Sequence, residues 1–163
     1  MGDINRIIVE AWNTILFEKF CRFKHLLIDG LSQHSDAAFE RFDIEPGARV
    51  LDVGCGFGDS TLRIARKVGV KGHAVGMDCA ENFIREAEQA AHAASIGNAS
   101  YFVADAQWGD LRGPYDNAFA RFGTMFFTNP VAALRRMRMA LKPGGQVTHI
   151  VWRRHQDNPA WQE

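Results

Sequence analysis

Hydrophobic residues recur every three or four positions through the first 30 residues, which is the spacing of one face of an amphipathic α-helix. This apolar face comprises Ile4, Ile8, Trp12, Ile15, Leu16, Phe20, Phe23 and Leu27. We predict one long helix that ends at Gly30, because glycine commonly follows the last turn of a helix. A second, short helix is predicted to begin at Ser35 or Asp36, and Pro46-Gly47 then marks the turn into the first strand.

From Arg49 onward, short apolar runs typical of buried strands alternate with longer amphipathic segments typical of helices. Strands are predicted over residues 49–53, 73–77, 100–103, 115–120 and 146–152, with a turn at 143–145. Helices are predicted from 60 until Gly69 stops the first one, from 81 to near 97 and over 130–141, the last with Asn129 as N-cap and Pro130 in its first turn. This alternation predicts an α/β fold with a doubly wound, mostly parallel sheet.

Composition narrows the class of protein. The chain has 163 residues, 19 basic and 19 acidic, so no net charge attracts it to nucleic acid or to an anionic membrane. Its three cysteines (Cys21, Cys55 and Cys79) lack metal-ligand spacing, which favours reduced thiols and a cytoplasmic location, and no metal site is expected. No apolar run is long enough to span a bilayer.

The segment 50–62 is the most informative one for function. An apolar strand carrying Asp52 leads into a turn where Gly54, Gly56 and Gly58 alternate with other residues, and a helix follows. Glycines let the backbone adopt positive φ and approach a ligand closely. Because the helix points its free N–H groups at this turn, the segment predicts a nucleotide-binding site.

The glycine spacing separates two kinds of nucleotide. A dinucleotide-binding turn reads G-x-G-x-x-G and would place its third glycine at position 59, where this chain has Asp59. A carboxylate such as Asp52 at the mouth of a phosphate site would also repel the ligand, whereas it favours a cationic one. The pattern D-x-G-x-G-x-G therefore favours a ligand with an amino acid end and a positive centre, and disfavours a nicotinamide dehydrogenase.

This motif resembles the first motif of class I S-adenosylmethionine-dependent methyltransferases. Three further segments (Tyr115-Asp116, 129–135 and 141–145) are similar to the ubiquinone/menaquinone-biosynthesis-like branch of small-molecule methyltransferases, so the resemblance runs from Val50 to Trp152. It implies S-adenosyl-L-methionine as cofactor. It also implies a helical cap over residues 1–45 and a Rossmann-like, S-adenosylmethionine-binding domain over residues 46–163. The family fold continues through two more strands, so we expect strands six and seven to be absent and strand five to form an exposed edge.

The candidate site residues follow the predicted strand ends, where α/β sheets bind their ligands. Asp52, with Gly54, Cys55, Gly56 and Gly58, is predicted to bind the cofactor, and the alternative is a structural carboxylate that caps the next helix. Asp78, with Cys79 beside it, is predicted to accept both ribose hydroxyls, and the alternative is a plain N-cap.

The later strand ends contribute candidates for the rest of the cofactor. The resemblance implies that Asp105 accepts from the adenine amino group and that the Ala106 backbone N–H donates to the ring, whereas an exposed turn aspartate is the alternative. Arg121 is expected to pair with the methionine carboxylate or with an acidic substrate. The side chains after it (Phe122, Met125 and Phe126) form either an apolar wall of the site or part of the core.

These residues lead to a functional hypothesis without a named catalytic residue. Methyl transfer from a sulfonium needs alignment and exclusion of water, and it needs a general base only when the acceptor must lose a proton. His155 alone has a positional argument for that role, and an exposed loop histidine is the alternative. We expect a methyltransferase acting on a small-molecule O, N or C acceptor, with no nucleic acid partner and with a homodimer left open. The alternative is a non-catalytic module that binds S-adenosylmethionine or S-adenosylhomocysteine.

Overall fold

The computed structural model describes residues 3–158. The helices of this part of the chain are α1 (Asp3–Asn13), α2 (Ile15–Arg22), α3 (Lys24–Phe39), α4 (Asp59–Val68), α5 (Glu81–Ala93) and α6 (Pro130–Met139). Its strands are β1 (Arg49–Val53), β2 (His73–Asp78), β3 (Ala99–Val103), β4 (Tyr115–Arg121) and β5 (Leu141–Ile150). Two short 3₁₀ turns lie at Thr124–Phe126 and His155–Asp157.

The strands form one parallel sheet in the order β3-β2-β1-β4-β5. The predicted doubly wound, parallel α/β fold is thereby confirmed. The strand order reverses between β1 and β4, so the chain leaves these neighbouring strands toward opposite sides of the sheet. A crevice forms at such a switch point, outside the carboxyl ends of the strands.

The N-terminal helices differ from the prediction. The chain forms three helices where one long helix and a short one were expected, with breaks at Thr14 and Phe23. Gly30 does not end a helix, and Ser35 and Asp36 do not begin one, because α3 continues through all three. A glycine inside a helix costs only about 1 kcal/mol. The last residue of α3 packs onto the sheet, where the ring centroids of Phe39 and Phe119 lie 5.0 Å apart.

The last strand also departs from the prediction. Residues 143–145 were expected to form a turn before a strand at 146–152, but they lie within β5 as an irregular bulge. Tyr115 of β4 pairs with Leu141 of β5, and Asn117 pairs with Gln146, so β5 advances by five residues while β4 advances by two. Gly144 supplies the positive φ of 82° that this bulge requires. As predicted, β5 lies at one edge of the sheet.

The core has a layer on each face of the sheet. On one face α4 packs over β1, burying Val50, Ile64, Ala65 and Phe119. On the other face α6 packs against β5, and the core there buries Leu51, Val53, Tyr115 and Met137. Since side chains alternate along a strand, Asp52 shares the face of Val50 and points toward α4. Within residues 3–158, none of the helices combines the length and apolar character needed to cross a bilayer.

Candidate functional site

A cleft that is partly open to solvent lies above the carboxyl ends of β1, β2 and β4. Helices α1 to α3 form its roof, which is mainly apolar and includes Ile8, Val9, Trp12, Phe20, Leu27, Ile28 and Leu31. Its floor is more polar and comes from the loops that follow the strands, including Gly54, Cys55, Asp59, Asp78, Cys79, Asp105, Ala106 and Arg121. An apolar cleft with a few converging polar groups is typical of a small-molecule site.

The glycine turn is held rigidly beneath this cleft. Gly54, Gly56 and Gly58 have φ values of 71°, 51° and 80°, which residues with a side chain rarely adopt. The backbone N–H groups of Gly54 and Cys55 both donate to the carbonyl of Met77, at 2.8 and 2.9 Å. Gly54 and Cys55 line the cleft, and Gly58 forms the N-cap of α4. The turn thus brings the backbone that follows β1 to the cleft surface.

Asp52 is placed away from the cleft. Its side chain is 1% exposed, and its Oδ2 accepts hydrogen bonds from the hydroxyls of Ser60 at 2.7 Å and Thr61 at 2.6 Å. Burial raises the pKa of this carboxyl to about 6. These contacts match the alternative role weighed from the sequence, in which the carboxylate holds the first turn of α4. The alternation of β1 explains the placement, because it turns Asp52 toward α4.

Asp78 faces the cleft and braces the glycine turn at the same time. Its Oδ2 accepts from the backbone N–H of Gly56 at 3.1 Å, and its Oδ1 accepts from that of Ala80 at 3.0 Å. Burial raises the pKa of the carboxyl. Because Asp78 also lines the cleft, its carboxylate lies where a ligand hydroxyl could donate to it. Cys79 lines the cleft beside it, and burial raises the pKa of its thiol.

Asp105 and Ala106 extend the floor beyond β3. Asp105 lines the cleft and is not an exposed turn residue, since its Oδ2 accepts from the Asn5 side chain at 2.6 Å. Its Oδ1 accepts from the backbone N–H and the side-chain amide of Gln107, at 2.8 and 3.1 Å. Ala106 is buried and also lines the cleft. Sequence reasoning missed Asn5 and Gln107, because nothing local marks a pair 102 positions apart.

Arg121 lines the cleft but is already paired. It donates to Oδ1 of Asp59 at 2.8 Å and to the Ser35 hydroxyl at 3.0 Å. Asp59 also lines the cleft, and its Oδ2 is buried without a hydrogen-bond partner among the described residues. The cleft therefore presents an ion pair with a free acceptor, and Arg121, which was expected to pair with a ligand carboxylate, already has a partner within the chain.

The aromatic residues after β4 divide between two roles. Phe122 and Phe126 line the cleft, whereas Met125 does not and is exposed. Phe122 adopts a φ of 53°, an uncommon backbone conformation for a bulky residue, and stacks on Trp152 with ring centroids 4.3 Å apart. Trp12 on α1 meets Phe126 edge to face at 5.0 Å, so roof and floor share one aromatic cluster.

His155 lies in an exposed 3₁₀ turn and does not line the cleft, which matches the alternative weighed for it. No three His, Cys, Asp or Glu side chains within residues 3–158 are grouped as metal ligands. The chemistry this arrangement offers is therefore binding and shielding: carboxylate acceptors at two strand ends, one ion pair and an aromatic roof.

Comparisons with known proteins agree with this geometry. The family model described as "Methyltransferase domain" matches residues 50–145, from β1 into the bulge of β5. The demethylmenaquinone methyltransferase of Listeria welshimeri is 32% identical over 111 residues, which are 66% of this chain and 46% of that protein. Its counterpart from Staphylococcus epidermidis is 34% identical over 110 residues, 64% of this chain and 43% of that protein.

A solved structure shares the fold. The crystal structure of a SAM dependent methyltransferase from Aquifex aeolicus superimposes with a TM-score of 0.67 at 22% identity, covering 72% of this chain and 63% of that one. This chain spans about half the length of the curated relatives it matches. The family model covers most of the chain and includes the glycine turn, Asp78 and Asp105, so the chain belongs to the class I methyltransferase-domain family.

Proposed function

We propose that the protein is an S-adenosylmethionine-dependent methyltransferase that acts on a small-molecule acceptor. One observation carries the proposal: a glycine turn and two carboxylates, Asp78 and Asp105, meet at the floor of a single roofed cleft. Family membership supports the same reading, since the matched segment contains all three features.

The donor set of the cleft fits this cofactor. Asp78 has acceptor sites for the ribose hydroxyls, and Asp105 has one for an exocyclic amino group. Cys79 and Ala106 supply apolar flanks for a flat base. The Arg121–Asp59 pair matches a zwitterionic amino acid end, because the free Oδ2 of Asp59 accepts from an ammonium and Arg121 attracts a carboxylate.

The chain's own contribution to catalysis is alignment and exclusion of water. The bound cofactor would supply an electrophilic methyl group, whose in-line transfer needs no covalent intermediate with the protein. Gly54 and Cys55 allow close approach of the ligand to the backbone. Trp12 and Phe126 meet edge to face, and together with Phe122 they give the cleft an apolar, aromatic lining. Orientation of two reactants and removal of water together account for a large share of the barrier reduction in such transfers.

The aromatic lining of the cleft supports an acceptor with a flat apolar ring. The faces and edges of Trp12, Phe122 and Phe126 suit stacking or edge-to-face contact with such a ring. The relatives named demethylmenaquinone methyltransferases support a quinone-type acceptor for this chain as well.

Calorimetry with S-adenosylhomocysteine, S-adenosylmethionine and NAD tests the proposed cofactor. We expect both sulfur compounds to bind and NAD not to. Asp78→Asn should weaken their binding at least about tenfold, because an amide both loses an acceptor and opposes the backbone donors around it. Asp110→Asn, an exposed loop residue that does not line the cleft, is the matched control. Binding of NAD alone would refute the proposal, and so would equal affinities in the two variants.

An enzyme and a binding module differ in turnover. The cleft is partly open to solvent, which favours a module that binds S-adenosylmethionine or S-adenosylhomocysteine without catalysis. Transfer of a labelled methyl group to reduced quinone, phenol or amine acceptors distinguishes the two functions. Cofactor binding without transfer to any of them would support the module.

A further inference from the structure

A buried polar cluster joins α1 to the loops after β3 and β4. Its centre is formed by Asn5 and Gln107, which are 3% and 4% exposed. The Gln107 side-chain amide donates to Asn5 Oδ1 at 2.7 Å, and Asn5 Nδ2 donates to Asp105 Oδ2 at 2.6 Å. Gln107 Oε1 in turn accepts from the Thr128 hydroxyl at 2.8 Å and from the Asn129 backbone N–H at 2.6 Å.

This cluster gives α1 a single docked position. Ile4 and Ile7 of α1 are exposed, at 70% and 63%, while Ile8, Val9 and Trp12 line the cleft. Apolar contacts alone tolerate sliding and rotation of a helix. A buried amide does not, because each unpartnered donor or acceptor costs about 1–3 kcal/mol. Asn5 therefore sets the register of α1 over the cleft.

The Asn5 side-chain amide also helps to orient the Asp105 carboxylate of the proposed site. Asp105 receives two donors from Gln107 on Oδ1 and one from Asn5 on Oδ2, and three donors fix the plane of the carboxylate. A carboxylate has about four acceptor positions, so one on Oδ2 stays free beside Asn5. A ligand amino group can occupy it without displacing α1.

We propose that Asn5 is a positioning residue that couples the docking of α1 to recognition of a ligand amino group by Asp105. The inference rests on the proposed function, in which Asp105 accepts from the adenine amino group. When α1 is docked, Asn5 holds the Asp105 carboxylate in one orientation. A ligand bound to Asp105 then also contacts the roof of the cleft, which α1 helps to form. Docking and binding stabilise each other because both use the same side chain.

The test compares Asn5→Ala with Arg6→Ala, the next residue of the same helix, whose side chain is exposed and does not line the cleft. Calorimetry measures the affinity for S-adenosylhomocysteine and for S-inosylhomocysteine, which lacks the amino group. Wild type and Arg6→Ala should prefer the adenosine compound. In Asn5→Ala that preference should fall by about tenfold, the effect of one well-oriented hydrogen bond. Hydrogen exchange of the α1 amides should be faster in Asn5→Ala and should slow on ligand binding.

The preference between the two ligands distinguishes positioning from simple loss of folding. Unfolded protein lowers both affinities equally, so their ratio does not depend on the folded fraction. An unchanged ratio in Asn5→Ala refutes the coupling, even if α1 exchanges faster. Failure of wild type to bind either ligand instead refutes the proposed function, and the two failures are therefore distinguishable.

Discussion

The contact between the glycine turn and α5 allows a sharp prediction for Gly58→Ala. Gly58 has a φ of 80°, and a Cβ built on it would lie 2.8 Å from the Cβ of Ala87 and 3.0 Å from the hydroxyl of Tyr101. Ala87 is fully buried in α5, so its backbone and Cβ have little room to move. The substitution therefore introduces both backbone strain and a steric clash.

The two effects are separable in magnitude. A non-glycine residue in the left-handed region costs about 1–2 kcal/mol. Overpacking a filled core by one methyl group costs about 1–3 kcal/mol. We expect Gly58→Ala to lower the free energy of unfolding by about 3 kcal/mol in all. Gly144→Ala is the matched control, because Gly144 has a φ of 82° but nothing within 4 Å of its Cβ position, and it should cost only about 1 kcal/mol.

Urea unfolding followed by circular dichroism measures both changes. With a slope of about 2 kcal/mol per molar urea, Gly58→Ala should lower the midpoint by about 1.5 M and Gly144→Ala by about 0.5 M. Equal losses in the two variants would refute the steric part of the reasoning. A Gly58→Ala protein as stable as wild type would refute all of it.

Three further predictions concern buried charge and helix α3. Burial raises the pKa of Asp52 to about 6, so the folded state binds more protons than the unfolded state between about pH 4 and 6 and wild-type stability falls as pH rises. The Asp52→Asn variant lacks this pH-dependent loss, so its free energy of unfolding should rise relative to that of wild type by about 3 kcal/mol between pH 4 and pH 7. Urea unfolding at several pH values measures this difference, and a difference that does not change with pH would contradict the prediction. Arg121→Ala should cost about 3 kcal/mol by leaving Asp59 unpaired, and adding Asp59→Ala should recover much of it, as a double-mutant cycle would show. Additive losses would exclude the coupling. Gly30→Ala should raise the thermal midpoint, gaining about 0.5–1 kcal/mol, because Gly30 lies inside α3 with open space around it; a destabilised variant would show that α3 is interrupted there.

The sequence predicted the sheet and its glycine turn well because their signals are local. Strand-length apolar runs alternate with amphipathic segments, and parallel strands joined by helices leave few arrangements other than a doubly wound sheet. The bounds of β1 agree with the prediction, and α4 begins one residue earlier than predicted. Asp78 and Asp105 reach the cleft because each follows the carboxyl end of a strand.

Predictions that depended on side-chain direction or distant partners were less successful. The apolar period through residues 4–27 is continuous, so nothing in it marks the breaks at Thr14 and Phe23. The sequence predicts Arg121 as a cation at the site, but its partner Asp59 lies 62 positions away, and no local signal links the two. The buried pair of Asn5 and Gln107 had no sequence signal at all.

The sequence by itself determined the class of fold and the place of the site, because strand periodicity and the glycine turn are properties of neighbouring residues. Only the tertiary structure decided which polar groups face the cleft. It turned Asp52 toward α4, paired Arg121 with Asp59 and brought Asn5 against Asp105. The physical reason is that a buried polar group must find a partner wherever the packed chain places one, and that partner is often far away in sequence.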